Sequence, residues 1–235
     1  KFLPTILKNS LGHDIYVIDN NSSDDSVQIV KSEFPEVKLI ELDNNYGYTG
    51  GYNKGLKKID AEVLALVNSD IEVTENWIEP ILKCFRKHEN LGLAQPKIKD
   101  YKSKSHFEYA GAAGGLIDSF GYPFCRGRIF DTVEEDYGQY DQSIAVDWAS
   151  GACLFVRADL FHELGGFDTG FFAHFEEIDL AWRARNLGYK IASIPKSTVF
   201  HVGGATLSTT NPQKTYLNFR NSLLTLLKNL PSKRL

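Results

Sequence analysis

The residues Asn-Ser-Asp at 68–70 directly follow the apolar run 63–67. This is the position that a metal-binding turn takes at the end of a buried strand. Side chains at the rim of a sheet can meet a hard cation and a diphosphate together. A carboxylate such as Asp70 suits Mg²⁺ or Mn²⁺, which prefer oxygen donors. His201 follows the strand-like segment 198–200 and could also bind a metal. The alternatives are an ordinary turn and a hydrogen-bonded structural histidine.

Three acids at the start of a predicted helix form a second group with chemical potential. Glu176 and Asp179 share a helix face, Asp179 can pair with Arg183 one turn later, and Glu177 points about 100° away from Glu176. An ionised carboxylate here could deprotonate a hydroxyl. The alternative is that the acids only complement the positive end of the helix dipole.

A glycine-rich stretch at 47–51, GYTGG, has no recognised nucleotide-binding fingerprint. It does not match GxGxxG, and no acid follows about 20 residues later in a βαβ unit. Taken alone, it predicts a tight turn. Asp19 ends an earlier apolar run, 15–18, and the residues after it have turn and helix-capping chemistry.

These residues occur in a chain that alternates strand-like and helix-like segments. The predicted strands are 15–18, 37–42, 63–67, 148–156, 190–194 and 198–201, and the predicted helices are 27–34, 51–58, 77–85, 158–164 and 176–187. This alternation predicts an α/β sheet that binds ligands beyond the carboxyl ends of its strands. The run 63–67 is apolar on both faces, which is typical of a central parallel strand. Between 99 and 147 the periodicity fades, so we expect irregular strands that build a substrate-facing half.

Composition excludes several classes of protein. With 26 basic and 30 acidic side chains, the net charge of −4 argues against nonspecific nucleic-acid binding. No apolar run approaches the roughly 18 residues of a membrane span. Three widely spaced cysteines favour a reduced, cytosolic compartment over a disulfide framework. Because the sequence contains no Met, we expect that upstream residues, and with them a first strand, are not included in it.

The final segment, 214–235, contains five basic residues and no acidic one. Its apolar stripe consists of Tyr216, Phe219, Leu223, Leu226 and Leu230. Such a helix suits peripheral contact with an anionic membrane, here the inner face of the cell membrane. The alternative is a helix packed on the core.

Five motifs, taken in order, resemble family 2 glycosyltransferases of the GT-A fold, and most closely the bacterial rhamnosyltransferase-like branch. They are VIDNNSSD at 17–24, NYGYTGGYN at 45–53, NSD at 68–70, EEIDLAWR at 176–183 and HVGG at 201–204. The resemblance spans about residues 11–228. It implies a Rossmann-like α/β fold with a mixed sheet and helices on both faces, here lacking its first strand. The implied organisation is one domain at 1–213, with a nucleotide-binding half at 1–98 and an acceptor and catalytic half at 99–213, followed by the helix at 214–235.

By position, the resemblance implies three sets of site residues. The nucleotide and donor set is Asp19, Asn21, Gly50, Gly51, Asn53, Asn68 and Asp70. The metal ligands, for Mn²⁺ or Mg²⁺, are Asp70 and His201. The general base is Glu177, preceded by the acid Glu176, while Trp148, Asp179 and Arg183 lie at the acceptor side or behind the site. Two positions depart from the family pattern, because Asn68 replaces the first acid of the DxD motif and Glu177 replaces the usual Asp.

The implied reaction is an inverting single displacement. It moves a sugar from a UDP- or dTDP-sugar, with dTDP-rhamnose among the candidates, to a hydroxyl of a cell-surface glycan or lipid-linked acceptor. The metal would stabilise the leaving diphosphate, and Glu177 would take the acceptor proton. One alternative is a metal-dependent phosphoesterase, for which a denser set of Asp and His ligands is expected. Another is a non-catalytic nucleotide-sugar binding module in which the acids are structural.

Overall fold

The computed structural model describes residues 1–203 and 212–230, which build an α/β fold around a central mixed sheet. Its helices are α1 (Leu3–Asn9), α2 (Ser26–Glu33), α3 (Gly47–Leu56), α4 (Glu79–Lys87), α5 (Ala158–Glu163), α6 (Glu176–Asn186) and α7 (Pro212–Asn229). Its strands are β1 (Tyr16–Asp19), β2 (Lys38–Glu41), β3 (Val63–Val67), β4 (Ile71–Val73), β5 (Leu91–Asp100), β6 (Gly115–Ile117), β7 (Pro123–Cys125), β8 (Arg128–Ile129), β9 (Thr132–Val133), β10 (Ile144–Val146), β11 (Cys153–Arg157) and β12 (Lys190–His201). Gly204 of the last motif and the basic residues Lys233 and Arg234 lie outside the described residues.

The central sheet has the strand order β10-β12-β5-β11-β3, with β4 also paired to β12. β12 is parallel to β5 and antiparallel to β10 and β4, whereas β11 is antiparallel to both β5 and β3. The two strands predicted at 190–194 and 198–201 form one strand, β12, with a register shift between Ile194 and Thr198. Pro195 lies within this shift, because proline has no N–H to donate to a ladder.

The direction of β3 corrects the expectation of a central parallel strand. β3 pairs antiparallel with β11, at one end of the sheet, and its Ala65 is exposed. β1 and β2 form a separate parallel pair. A strongly apolar sequence indicates that a strand is largely buried. It does not indicate whether the neighbouring strand runs parallel or antiparallel to it.

The core lies on both faces of the sheet because successive residues of a strand point to opposite faces. Leu93 and Leu154 face one cluster, which includes residues of α3, α5 and α6. Ala94 and Phe155, the next residues on the same strands, face a second cluster, which includes residues of α4. The prediction of helices on both faces is therefore confirmed.

The segment between β5 and β11 consists of short hairpins, as its fading periodicity predicted. β6 pairs with β7, β8 pairs with β9, and β10 joins the main sheet. Lys97 binds the carboxylates of Asp136 and Asp141 and so anchors this segment to β5. Within it, Glu108 donates its backbone N–H to Ile98 O at 3.0 Å, which places Glu108 beside β5.

Helix α7 packs against α6 through a face that is mostly polar. The buried residues of α7 are Leu217, Asn221, Thr225 and Asn229. Its exposed large hydrophobic residues are Tyr216, Phe219, Leu223 and Leu227. The helix thus packs on the core while much of its apolar stripe faces outward. Within the described ranges, no helix has the length and hydropathy needed to cross a bilayer.

Candidate active site

The pairing of β4 with β12 brings Asp70 and His201 together. His201 lies opposite Ile71 in this ladder, and Asp70 Oδ1 is 3.2 Å from His201 Nε2. The hydrogen bond with His201 lowers the pKa of Asp70 below its ordinary value. Burial acts to lower the pKa of His201, but its contacts with Asp70 and Glu108 raise that pKa to about 9.

Glu108 contacts the other side of the His201 ring, and the sequence analysis missed it. Glu108 Oε1 lies 3.4 Å from His201 Nδ1. The side chain is buried, and its Oε2 accepts a hydrogen bond from the backbone N of Ala110 at 2.6 Å. Because Glu108 lies in the irregular segment, neither spacing nor periodicity links it to His201.

Asp70 and His201 together have donor chemistry that fits a divalent metal. Among the described residues, no three His, Cys, Asp or Glu side chains gather into a complete metal-binding cluster. One carboxylate and one imidazole nonetheless suit a cation that completes its shell with substrate phosphates and water. The Glu108 contact also fits, because a metal-binding histidine usually donates its second ring N–H to a carboxylate, carbonyl or water.

Glu176 and Glu177 are the first two residues of α6, and burial determines their acidity. Burial raises the pKa of Glu176 well above its ordinary value, and the neighbouring Glu177 charge raises it further. Burial also raises the pKa of Glu177. The Oε2 atom of each carboxyl is buried without a hydrogen-bond partner among the described residues. A carboxyl of raised pKa with an unpaired oxygen is suited to accept a proton from a hydroxyl.

A two-residue segment, Gly151 and Ala152, connects these two groups. The backbone N of Asn68 donates to Ala152 O at 3.0 Å. On the neighbouring residue, a Cβ added to Gly151 would lie 3.8 Å from Glu177 Cδ. The hydroxyl of Tyr48 donates to Gly151 O at 2.8 Å and fixes the segment from the α3 side. The Asn68 turn and the Glu177 carboxyl therefore flank the same piece of backbone.

The residues predicted to bind the nucleotide base lie at the end of β1. Asp19 is buried and accepts a hydrogen bond from a backbone N–H three residues later at 3.2 Å. Asn21 has a left-handed backbone, with φ of 63°. Between them, Asn20 accepts from Tyr46 N and donates to Gly47 O, each at 2.9 Å. Asn20 thus joins the β1 end to the glycine-rich stretch, a role that the sequence analysis did not assign.

The glycine-rich stretch forms the start of α3 rather than only a turn. A Cβ on Gly51 would lie 3.1 Å from the Asn20 side chain, so glycine permits this close approach. Asn53 donates to Phe167 O at 2.7 Å and accepts from Phe167 N at 2.9 Å. Both ends of the Asn53 amide therefore serve the fold, and a direct nucleotide contact from Asn53 is not favoured. Gly50, whose Cβ would lie 2.8 Å from Tyr46 Cβ, likewise permits close packing.

The three residues expected near the acceptor are bonded to other parts of the fold. Trp148 is buried, with its indole N–H donating to Leu116 O at 3.1 Å. Asp179 is fully buried and accepts from Arg183 Nε at 2.8 Å. The same guanidinium donates to two carbonyl groups in the turn between α5 and α6. The contacts of Asp179 and Arg183 suit residues that support α6, whereas Trp148 is bonded to β6. A role of these residues at the acceptor side stays a prediction.

The comparison with protein-family models identifies the chain. Residues 3–164, well over half of it, match the model described as glycosyl transferase family 2. The chain belongs to glycosyl transferase family 2. The matched part contains Asp19, the glycine-rich stretch and Asp70, whereas Glu177 and His201 lie beyond it.

The curated relatives of the chain include a bacterial and an archaeal glycosyltransferase. The chain is 26% identical over 203 residues to N-acetylglucosaminyl-diphospho-decaprenol L-rhamnosyltransferase of Mycobacterium tuberculosis, a match that covers 80% of the chain and 66% of the relative. It is 25% identical over 219 residues to the low-salt glycan biosynthesis hexosyltransferase Agl10 of Haloferax volcanii, which covers 90% of the chain and 66% of the relative. The chain thus spans slightly less than two thirds of either relative.

Solved structures of glycosyltransferases share this fold. GalNAc-T7 with UDP, GalNAc and Mn²⁺ aligns with a TM-score of 0.68 at 16% identity, covering 96% of this chain and 44% of that one. The mannosyltransferase PcManGT from Pyrobaculum calidifontis, in complex with GDP-Man and Mn²⁺, aligns with a TM-score of 0.65 at 12% identity, covering 98% and 60%. At these identities the likeness concerns the fold alone, and it confirms the predicted GT-A architecture.

Proposed function

We propose that this family 2 member transfers a sugar from a nucleotide-diphosphate donor to a hydroxyl with inversion. One observation carries the proposal: the turn that bears Asp70 and the Glu177 carboxyl flank the same backbone at Gly151 and Ala152. Transfer to a hydroxyl requires charge stabilisation at the leaving diphosphate and a base at the acceptor. The Asp70–His201 pair and Glu177 offer these two functions side by side.

In the proposed reaction, Glu177 accepts the proton of the acceptor hydroxyl while that oxygen attacks the anomeric carbon. The bond from this carbon to the phosphate oxygen breaks on the opposite face, and the electron pair leaves with the nucleoside diphosphate. Burial and the neighbouring Glu177 charge raise the pKa of Glu176 well above its ordinary value, which favours its neutral form. A neutral Glu176 removes a repulsive charge from beside the base, which allows Glu177 to be ionised before it accepts the proton.

As cofactor we propose Mn²⁺ or Mg²⁺, held by Asp70 and His201. When bound, the cation supplies positive charge that stabilises the leaving diphosphate. Glu108 Oε1 lies 3.4 Å from the second ring nitrogen of His201 and would orient the ring toward the cation. Two structural neighbours are complexes that contain Mn²⁺, which supports this cofactor.

For the donor we propose a UDP- or dTDP-sugar, with dTDP-rhamnose as the first candidate because one relative is named an L-rhamnosyltransferase. The same name includes a diphospho-decaprenol group, which supports a lipid-linked acceptor beside a cell-surface glycan. We assign nucleotide binding to residues 1–98 and acceptor binding to residues 99–213.

Calorimetric titration with UDP, dTDP and GDP, each with Mn²⁺ and again with EDTA, tests the donor site. We expect one nucleotide to bind only with the metal, and Asp70→Ala to abolish that binding. Asp60→Ala is the matched control, because Asp60 is an exposed acid before the opposite end of β3. Equal binding with EDTA, or by the Asp70 variant, would contradict the metal assignment.

The variant Glu177→Gln tests the base. It keeps the shape of the side chain and removes its proton-accepting charge, so transfer should fall by about 10²- to 10⁴-fold while nucleotide binding is retained. Glu163→Gln, in an exposed acid of α5, is the control. Unchanged transfer would favour the binding-module alternative. Sugar-independent cleavage of phosphate esters would favour the phosphoesterase, for which the described residues supply no three-ligand cluster.

We also propose that the outer face of α7 contacts an anionic membrane that carries the acceptor. Its exposed apolar residues are Tyr216, Phe219, Leu223 and Leu227. The segment 212–230 contains no acidic residue, so no negative charge on it opposes such a surface. Sedimentation with vesicles of anionic lipid should fall in the double variant Phe219→Ser/Leu223→Ser and not in Ile29→Ser, a change to an exposed residue of α2. Equal sedimentation of the unmodified protein, the double variant and Ile29→Ser would contradict the contact with the membrane.

A further inference from the structure

The buried face of α7 is polar where a packed helix usually presents apolar residues. Asn221 is 0% exposed, whereas Phe219, two positions earlier, is 71% exposed. Burying an amide is costly unless its hydrogen bonds are satisfied. The contacts that satisfy Asn221 therefore show what this face of the helix does.

Asn221 binds the backbone of the loop that leads into α6. Its Nδ2 lies 3.0 Å from Phe171 O, 2.8 Å from Ala173 O and 2.7 Å from His174 O. Its Oδ1 accepts from Arg220 Nε at 2.9 Å. The Arg220 guanidinium also donates to Phe171 O at 2.9 Å. Two neighbouring side chains of α7 thus hold three carbonyl groups within four residues of one loop.

This loop has an unusual backbone. Phe172, His174 and Phe175 have φ values of 65°, 68° and 73°, in the left-handed region that non-glycine residues rarely adopt. Such residues persist only where the surroundings hold them, and they concentrate at functional sites. Within this stretch, the carbonyl groups of Ala173 and His174 accept from Asn221, which supplies donors that neither a helix nor a strand provides there.

The loop ends where the acid pair begins. Phe175 is the N-terminal cap of α6, and Glu176 and Glu177 are the first two residues of that helix. A change in the backbone at 172–175 therefore changes the direction from which the Glu177 side chain leaves the helix.

We propose that Asn221 is a positioning residue, which orients Glu177 by holding the carbonyl groups of the left-handed loop. This inference rests on the proposed function, because it takes Glu177 as the base. Asn221 itself does not touch substrate. An alanine leaves the carbonyl groups of Ala173 and His174 without their side-chain donor, while Phe171 O keeps its bond from Arg220. An aspartate presents negative charge to these carbonyl groups.

The test compares Asn221→Ala with Leu217→Ala, a change at a buried apolar residue of the same helix that makes none of these bonds. Hydrogen exchange of the amides at 172–177 should accelerate at least tenfold in Asn221→Ala and stay near the parent rate in Leu217→Ala. The turnover number should fall about 100-fold in Asn221→Ala, the effect of misplacing a catalytic group by about 1 Å. The donor KM and the Kd for the nucleotide should change less than threefold, since the donor-side residues lie elsewhere.

Exchange and turnover equal to those of Leu217→Ala would overturn the positioning role. A parallel loss of turnover and nucleotide affinity would also overturn it, since that pattern reports general unfolding. Glu177→Gln separates the two proposals. If that variant is inactive while Asn221→Ala matches Leu217→Ala, only the positioning role fails. If it keeps full transfer, the base assignment fails, and the catalytic purpose of Asn221 fails with it.

Discussion

Replacing Asp179 with Asn should destabilise the protein strongly, because this carboxylate joins α6 to α7. Asp179 is fully buried. Its partners are Arg183 Nε at 2.8 Å, Lys228 Nζ at 2.9 Å and Asn229 Nδ2 at 3.0 Å. The substitution preserves the size of the side chain, removes its charge and replaces one acceptor oxygen with an NH2 donor, so the measured change reports the loss of the ion pairs together with that of one acceptor.

The magnitude follows from what each partner retains. Breaking a buried ion pair by removing one member costs about 3–5 kcal/mol, because the other charge is left uncompensated. Here Lys228 keeps its contact with Asp168 at 2.6 Å, and Arg183 keeps its two carbonyl partners. We therefore expect the free energy of unfolding to fall by the lower end of this range, about 3 kcal/mol. At about 2–4 °C per kcal/mol for a chain of this length, the Tm should fall by about 6–12 °C.

Circular dichroism melts and urea titrations of Asp179→Asn measure this change. Asp131→Asn, in an exposed turn, is the control and should leave the Tm within about 2 °C, because such surface changes are usually worth less than 0.5 kcal/mol. In Asp179→Asn/Lys228→Met the losses should not add, because both changes disrupt one interaction. A loss below about 1 kcal/mol for Asp179→Asn would refute the assignment of Asp179 as the link between the two helices.

Three further predictions follow from single contacts. Gly115→Ala should lower the free energy of unfolding by about 1–3 kcal/mol in urea titrations, because its Cβ would lie 2.0 Å from the Trp148 ring. An unchanged free energy of unfolding would contradict the close packing. Glu108→Gln should weaken Mn²⁺-dependent nucleotide binding by about 10- to 100-fold, through loss of the carboxylate that holds His201, and unchanged calorimetric affinity would exclude this role. Burial raises the pKa of Glu177 above the ordinary carboxyl value of about 4. The base should therefore become protonated, and the rate of transfer should fall, before the pH has dropped to about 4.5. A rate of transfer that stays constant down to about pH 4.5 would argue against Glu177 as the base.

Much of the fold was predictable because strands and helices leave local periodic patterns. The apolar run at 63–67 is a strand, and the segment from 176 is a helix. Strand direction was not predictable, because the same apolar sequence of β3 fits a parallel or an antiparallel neighbour. The partner of β3 is β11, which lies about 90 residues later and is chosen by tertiary packing.

The candidate site was predictable only where its residues belong to motifs. Asp70 and His201 were expected to act together, and the pairing of β4 with β12 brings them within 3.2 Å. Glu108 and Asn221 were not expected, because each acts through contacts with residues distant in sequence and lies in a segment whose local pattern carries no such information. A buried glutamate in an irregular segment and a buried asparagine in a helix look, in sequence, like surface residues.

Helix α7 shows why periodicity identifies an apolar face without revealing which face points inward. Turning the apolar stripe of α7 toward the core would remove Asn221 from the loop at 171–174 and leave the carbonyl groups of Ala173 and His174 without their side-chain donor. Buried backbone groups without partners are rare in native proteins, since each costs about 1–3 kcal/mol. The left-handed loop before the acid pair thus requires a polar helix face against it. The apolar stripe is left on the outside for the same reason, and it is therefore available for the proposed contact with the membrane.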